Sequence, residues 1–256
     1  MGKGMILFDL DGTLLTSDGV VAPLTADWIN LCKSSGYHIG YITARSRSKK
    51  IVRLLDSLPC DYIAFYNGAA IYADNQLIDR NELPYQQAKL ILQRLNRDYP
   101  DMIIDVHQEH RTFSNTCDEV SHSDLGNRIT YSLKNLAQYD IQRIRLRSHN
   151  LMSVPLEKYM TNESSFYHTV AGDAIIVHKQ ANKAHAAKRA SEYFGISTTQ
   201  MIAFGDDLGD IDMIKFVGRG VAMGNAVPRL KEIADYVTDT NDNNGIACWI
   251  NKNLIN

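Results

Sequence analysis

Near the start of the chain, the apolar run Met5-Ile6-Leu7-Phe8 leads directly into Asp9-Leu10-Asp11-Gly12-Thr13. A short apolar run bounded by a turn signal reads as a buried strand, here Met5–Leu10. In a parallel α/β sheet the ligand crevice lies beyond the carboxyl ends of the strands. Alternate residues of an extended segment point the same way, so Asp9 and Asp11 can address one site. Gly12 lets the chain turn sharply where a Cβ would obstruct. Two carboxylates this close repel unless a cation or a shared proton intervenes. The pattern points to a metal-assisted site with one nucleophilic and one acid/base carboxylate. The competing reading is a plain Asp/Gly turn ending a strand.

The pattern of strand then helix repeats. Helices are expected at Pro23–Ser35 and Ser46–Leu58, strands at Tyr37–Thr43 and Asp61–Phe65, and a hairpin around Asp74-Asn75 after the Asn67-Gly68 turn. The middle of the chain differs. A helix over Pro84–Tyr99 presents Ala88, Ile91, Leu92 and Leu95 on one face, and short strands follow at Met102–His107, Arg111–Ser114, Ile141–Leu146, Phe166–Val170 and Ala174–Val177. A polar helix is expected over Asp124–Asn135. The last third returns to βα order: helix Lys183–Phe194, strand Met201–Phe204, helix Ile211–Val217, strand Gly220–Met223 and helices Pro228–Ala234 and Gly245–Asn253. The fold expected is α/β, one parallel sheet built from residues 1–82 and 179–256, with an α+β module inserted at 83–178.

At 256 residues and 45% hydrophobic, the chain can build ordinary cores, and a net charge of -2 creates no field that would draw it to nucleic acid or an anionic membrane. Cys32, Cys60, Cys117 and Cys248 are too widely spaced for a zinc site or a disulfide framework. With no apolar stretch of signal-peptide or membrane-spanning length, a reducing, cytoplasmic setting is expected, and a monomer or homodimer.

Two further strand ends carry chemistry. Thr43, in Ile42-Thr43-Ala44-Arg45, offers a hydroxyl ahead of a helix, suited to a phosphate oxygen or to capping that helix. The second end reads Gly205-Asp206-Asp207-Leu208-Gly209-Asp210-Ile211-Asp212. So many acids after an apolar strand call for a cation, and oxygen ligands of this kind suit Mg²⁺. Helix-capping aspartates are the alternative. Lys183 opens a helix, where a cation opposes the macrodipole unless something anionic is near.

In order and spacing these motifs resemble the haloacid dehalogenase (HAD) superfamily, in its Cof-like class IIB branch. Asp9–Thr13 matches its first motif, Thr43 the second, Lys183 the third, and Asp206 with Asp210 the fourth. Val221-Ala222-Met223-Gly224-Asn225-Ala226 also matches that branch. The resemblance implies a Rossmann-like core with an inserted cap, and a Mg²⁺-dependent phosphatase acting on a small phosphorylated metabolite. Asp9 is then the nucleophile and Asp11 the acid/base. Thr43 and Lys183 bind phosphoryl oxygens. Asp9, the Asp11 carbonyl and Asp206 hold the metal, with Asp210 supporting; the anions around Asp11 favour its holding a proton. Thr13, Asp207, Arg45 and Asn67 are further candidates. Two departures stand out: Gly209 where the branch usually has Asn, and Ala44 where Gly is commoner. The cap would close over the site, with His107, Arg111, His122, Arg143, Arg145 and Arg147 as candidate contacts; the alternating arginines read also as a solvated sheet face. A phosphomutase and a non-catalytic binder of phosphorylated metabolites are the rival readings.

Overall fold

The computed structural model describes residues 3–108, 111–117, 120–122, 129–169 and 171–254. From the N-terminus the elements are β1 (Gly4–Phe8), α1 (Pro23–Ser34), β2 (Tyr37–Ile42), α2 (Lys49–Leu55), β3 (Tyr62–Phe65), β4 (Ala70–Ala73) and β5 (Gln76–Arg80). Then come α3 (Tyr85–Asp98), β6 (Ile103–Gln108), β7 (Arg111–Ser114), β8 (Val120–His122), β9 (Ile129–Ser132), β10 (Arg143–Arg147), β11 (Ser164–His168) and β12 (Ala174–His178). The remainder is α4 (Lys183–Phe194), β13 (Met201–Gly205), α5 (Ile211–Phe216), β14 (Arg219–Ala222), α6 (Pro228–Ile233), β15 (Tyr236–Val237) and α7 (Gly245–Asn253).

These elements form two compact units. One comprises the chain up to Arg80 and from Asn182 onward; the other is Asn81–Ala181. The first unit holds a sheet in the order β15-β14-β13-β1-β2-β3-β4-β5, parallel from β15 to β3 and antiparallel at the β4–β5 hairpin. β1 is central and every one of its residues is buried, as a parallel strand covered on both faces requires. Phe8 lies opposite Phe204 on one side and Tyr41 on the other, and the Phe8 and Phe204 rings stack with centroids 5.3 Å apart. Strand order reverses at β1: the chain proceeds to β2 and β3 on one side and through β13 and β14 on the other. The carboxyl end of β1 is therefore a topological switch point, the place where such sheets bind ligands.

The second unit holds a sheet in the order β11-β12-β10-β6-β7-β9-β8. Ala88, Ile91 and Leu95 of α3 pack in one core with Ile104, Val106, Phe113, Ile144, Leu146 and Ile176 of the strands. The opposite sheet face carries Arg145 and Arg147. Their charges are met within the unit, by Asp173 (2.8 Å from Arg145 Nε) and Asp105 (2.6 Å from Arg147). Arg145 and Arg147 thus belong to ion pairs rather than to an open basic face. Arg111 lies over the Tyr131 ring, and His107 faces Thr112.

Of the expected helix over Asp124–Asn135, only a single 3-10 turn at Leu133–Asn135 forms among the described residues; Ile129–Ser132 is a strand, parallel to β7 with Tyr131 opposite Phe113. Residues 124–128 lie outside the described residues. Ile-Thr-Tyr-Ser is β-branched and aromatic, and the chance to pair with β7 outweighs the polar helical pattern around it. The second helix also starts later than expected. α2 begins at Lys49, with Ser48 as its cap accepting from Ile51 N, so residues 44–48 form a loop.

Candidate active site

The site is assembled at the switch point, from four segments of the first unit. β1 ends at Phe8 and delivers Asp9, which is 5% exposed. Its backbone N–H continues the ladder, donating to Phe204 O at 3.1 Å. Gly12 follows at φ +76°, the left-handed region that glycine tolerates best. A Cβ there would fall on the Asp206 carboxylate, 2.8 Å from its Cγ. The first and fourth acidic motifs thus meet at close quarters only because residue 12 lacks a side chain.

α4 supplies the cation. Asn182 caps the helix, its Oδ1 accepting from His185 N at 2.8 Å. This fixes Lys183 at the first helical position, with its Nζ 2.6 Å from Asp9 Oδ1 and 2.6 Å from Asp210 Oδ1. All three side chains are almost fully buried. Burial works against the ammonium, but Asp210 and Asp9 outweigh it and hold Lys183 protonated, well above the usual lysine range. Burial likewise pushes Asp9 upward; Lys183 opposes this, while Asp210 and Asp206 add to it.

The turn after β13 brings the remaining acids. Asp210, fully buried, spends Oδ1 on Lys183 and Oδ2 on the backbone N–H groups of Asp206 (3.1 Å) and Asp207 (3.0 Å). Asp207 turns away to cap the short helix over Leu208–Asp210, in a reciprocal capping box with Asp210. Asp206 accepts from the Thr13 hydroxyl at 2.8 Å, and burial pushes it up to about 6.

Carboxylate oxygens of Asp9, Asp206 and Asp210 lie within 4.8 Å of one another. Three acids therefore share one ammonium, a balance that asks for further positive charge. Among the described residues, Asp9 Oδ2 and Asp206 Oδ2 accept no hydrogen bond. An all-oxygen donor set with such oxygens to offer fits a hard divalent cation of the Mg²⁺ type.

Asp11 stands apart from the buried acids in its partner: its carboxylate is half exposed and is gripped by both prongs of Arg45, with Nε 2.7 Å from Oδ2. The loop before α2 makes this possible: Arg45 lies on an irregular segment and reaches across to the first motif. The anionic crowding expected around Asp11 is replaced by a bidentate ion pair. Thr43 is fully buried at the end of β2 and caps no helix; its Oγ1 accepts from Arg45 N at 3.0 Å. Its O–H donates to no described group. Asn67, buried and at φ 57°, follows Tyr66 at φ 50° and donates its N–H to Thr43 O at 2.8 Å. That tight turn holds the end of β2 in place. Sequence reasoning did not assign a role to Asn225, which donates to the Gly12 carbonyl at 2.8 Å. Its position in the Val221–Ala226 stretch was the available signal.

The parallel sheet thus gathers a buried aspartate–lysine–aspartate chain and a third carboxylate at its switch point. Residues 6–250 match the haloacid dehalogenase-like hydrolase family. The chain belongs to that family, among its phosphatases. It is similar to the 5-amino-6-(5-phospho-D-ribitylamino)uracil phosphatases YcsE and YitU of Bacillus subtilis. Identity to YcsE is 30%, over 95% of this chain and 92% of that protein; identity to YitU is 27%, over 97% and 96%. Among solved structures, it shares its fold with BT1666 of Bacteroides thetaiotaomicron, a phosphatase of the same superfamily (TM-score 0.84, 22% identity, 97% and 94% of the chains covered). The HAD subclass IIB sugar phosphatase BT4131 matches equally fully (TM-score 0.81, 19% identity, 97% and 98% covered).

Proposed function

We propose that the protein is a Mg²⁺-dependent phosphatase of a small phosphorylated metabolite that works through a phosphorylated Asp9. The observation that carries this reading is the buried bridge of Lys183 between Asp9 and Asp210, 2.6 Å from each, beside Asp206. A lysine held this way orients a carboxylate nucleophile and offers charge to an incoming phosphoryl group.

In the first step an Asp9 oxygen attacks phosphorus, and the bond from phosphorus to the leaving alcohol breaks. Asp11, on leaving Arg45, takes up a proton from solvent and delivers it to the departing alcohol oxygen. In the second step Asp11 takes a proton from water, the water oxygen attacks phosphorus, and the bond to Asp9 breaks to release phosphate. For both steps Asp11 exchanges the Arg45 fork for the substrate, so Arg45 sets where the acid/base group rests between turnovers. Thr43 donates its free hydroxyl hydrogen to a phosphoryl oxygen, and Lys183 neutralises another. Asp9, Asp206 and the Asp11 carbonyl would hold Mg²⁺, which supplies charge neutralisation at the phosphoryl group. The unit Asn81–Ala181 is the cap that selects substrate.

The test is phosphate release from a panel of phosphorylated metabolites with and without Mg²⁺. The panel includes sugar phosphates and the ribitylaminouracil phosphate for which two relatives are named. Mg²⁺-dependent release that disappears in Asp9→Asn is expected. An isomerised sugar phosphate without free phosphate would point to a mutase. Tight binding without turnover would point to a non-catalytic protein.

A further inference from the structure

The loop that carries Asp11 and Thr13 is tied down from the far end of the chain. Asn225, in the turn after β14, donates from Nδ2 to Gly12 O at 2.8 Å, and its Oδ1 accepts from Asn241 N at 3.1 Å. Asn241, between β15 and α7, donates from Nδ2 to Leu15 O at 2.8 Å. Its neighbour Asp242 accepts from Ser17 twice, from the backbone N–H at 2.7 Å and from the hydroxyl at 2.6 Å. Gly12, Leu15 and Ser17 are thus held in succession by residues more than two hundred positions away.

The holding side is itself braced. Gly224 N donates to Asp239 O at 3.0 Å, Gly245 N to Thr240 O at 2.9 Å, and Thr238 Oγ1 to Gly245 O at 2.6 Å. A Cβ on Gly224 would stand 2.8 Å from the backbone of Asp239 and Thr240, so the two turns lie directly against each other.

We propose that Asn225 and Asn241 are positioning residues for the active site. Gly12 joins Asp11, the acid/base, to Thr13, whose hydroxyl holds Asp206 at 2.8 Å. Fixing the Gly12 carbonyl fixes the peptide that orients Thr13, and through it the Asp206 carboxylate that faces the cation. Asn225 is exposed, so its hydrogen bonds compete with water and contribute little to folding. Both ends of its amide are nevertheless committed, one to the catalytic loop and one to the brace. This arrangement directs the loop more than it stabilises the fold. The inference rests on the reading of Asp206 as a cation ligand.

Asn225→Ala removes the donor without adding charge, and Asn241→Ala removes the neighbouring tie. Each is expected to weaken Mg²⁺ binding about ten-fold by calorimetry and to lower kcat by a similar factor, as loss of a residue supporting metal ligands does. KM should change less, and the unfolding midpoint without Mg²⁺ should stay near that of the wild type. Amide exchange at Gly12–Ser17 should quicken while exchange in β1 and β13 does not. Wild-type Mg²⁺ affinity and wild-type exchange at Gly12–Ser17 in both variants would overturn the proposal. So would losses that only track a lowered unfolding midpoint. If the wild-type protein releases no phosphate from any compound, the phosphatase reading falls, while calorimetry and exchange still decide the role of the two asparagines.

Discussion

Lys183 is the residue on which the site's electrostatics turn. Replacing it with Met leaves Asp9 and Asp210 buried without their shared cation. The expected cost is about 3–5 kcal/mol near neutral pH, read by denaturant unfolding, with loss of turnover. That cost should shrink toward acid, because Asp9, already raised by burial, takes up a proton. Asp206 makes a second prediction. Its carboxyl is pushed from 3.8 up to about 6, chiefly by burial. Without metal, the folded state then binds more protons than the unfolded chain across that window. This group's contribution to stability therefore falls as pH rises through it. A cation needs the ionised form, so the thermal shift produced by Mg²⁺ should be larger above that window than inside it. Equal shifts inside and above that window would remove Asp206 from the cation's partners. Gly209 is the family departure most open to change. A Cβ there meets nothing within 4 Å, so Gly209→Ala should fold and gain about 0.4–1 kcal/mol through a less flexible unfolded chain.

At the scale of elements, the beginning of α4 and the end of β1 set the distances that matter. Asn182→Ala should cost about 1 kcal/mol for the lost cap, and because the helix begins at Lys183, it should lower kcat by more than that stability loss implies. Enzyme assay beside thermal unfolding separates the two. Much of this was legible in the chain: the apolar run before Asp9, the Lys183 helix start and the acidic turn after Met201–Phe204 all form where their patterns place them. The Arg45 fork was not legible. It depends on α2 starting at Lys49 rather than Ser46, a boundary decided by which of two serines caps the helix. The strand at Ile129–Ser132 was missed for a similar reason, since its stability comes from pairing with β7, which no local pattern records.

For the whole molecule, the main fact is that the acids, Thr43, Arg45 and Lys183 all belong to one compact unit built from both ends of the chain. The insertion Asn81–Ala181 has its own core under α3. Ile91→Ala should therefore destabilise the inserted unit by about 2–5 kcal/mol. Mg²⁺ should slow amide exchange around β1, β13 and α4 without protecting β10 and β12. The sequence places the inserted module at 83–178 because parallel strands need long crossovers, and the hairpin-rich middle breaks that order. The asparagine ties to Gly12 and Leu15 escaped sequence reading because they join residues with no shared periodicity.

If Asp9 carries the phosphoryl group, a single-turnover reaction quenched in acid and reduced with borohydride should convert that one aspartate to homoserine, found by peptide mass spectrometry. Conversion at Asp9, absent in Asp9→Asn and absent without substrate, is the result expected. Phosphate release with Asp9 unmodified, or with the modification at another carboxylate, would contradict the nucleophile assignment.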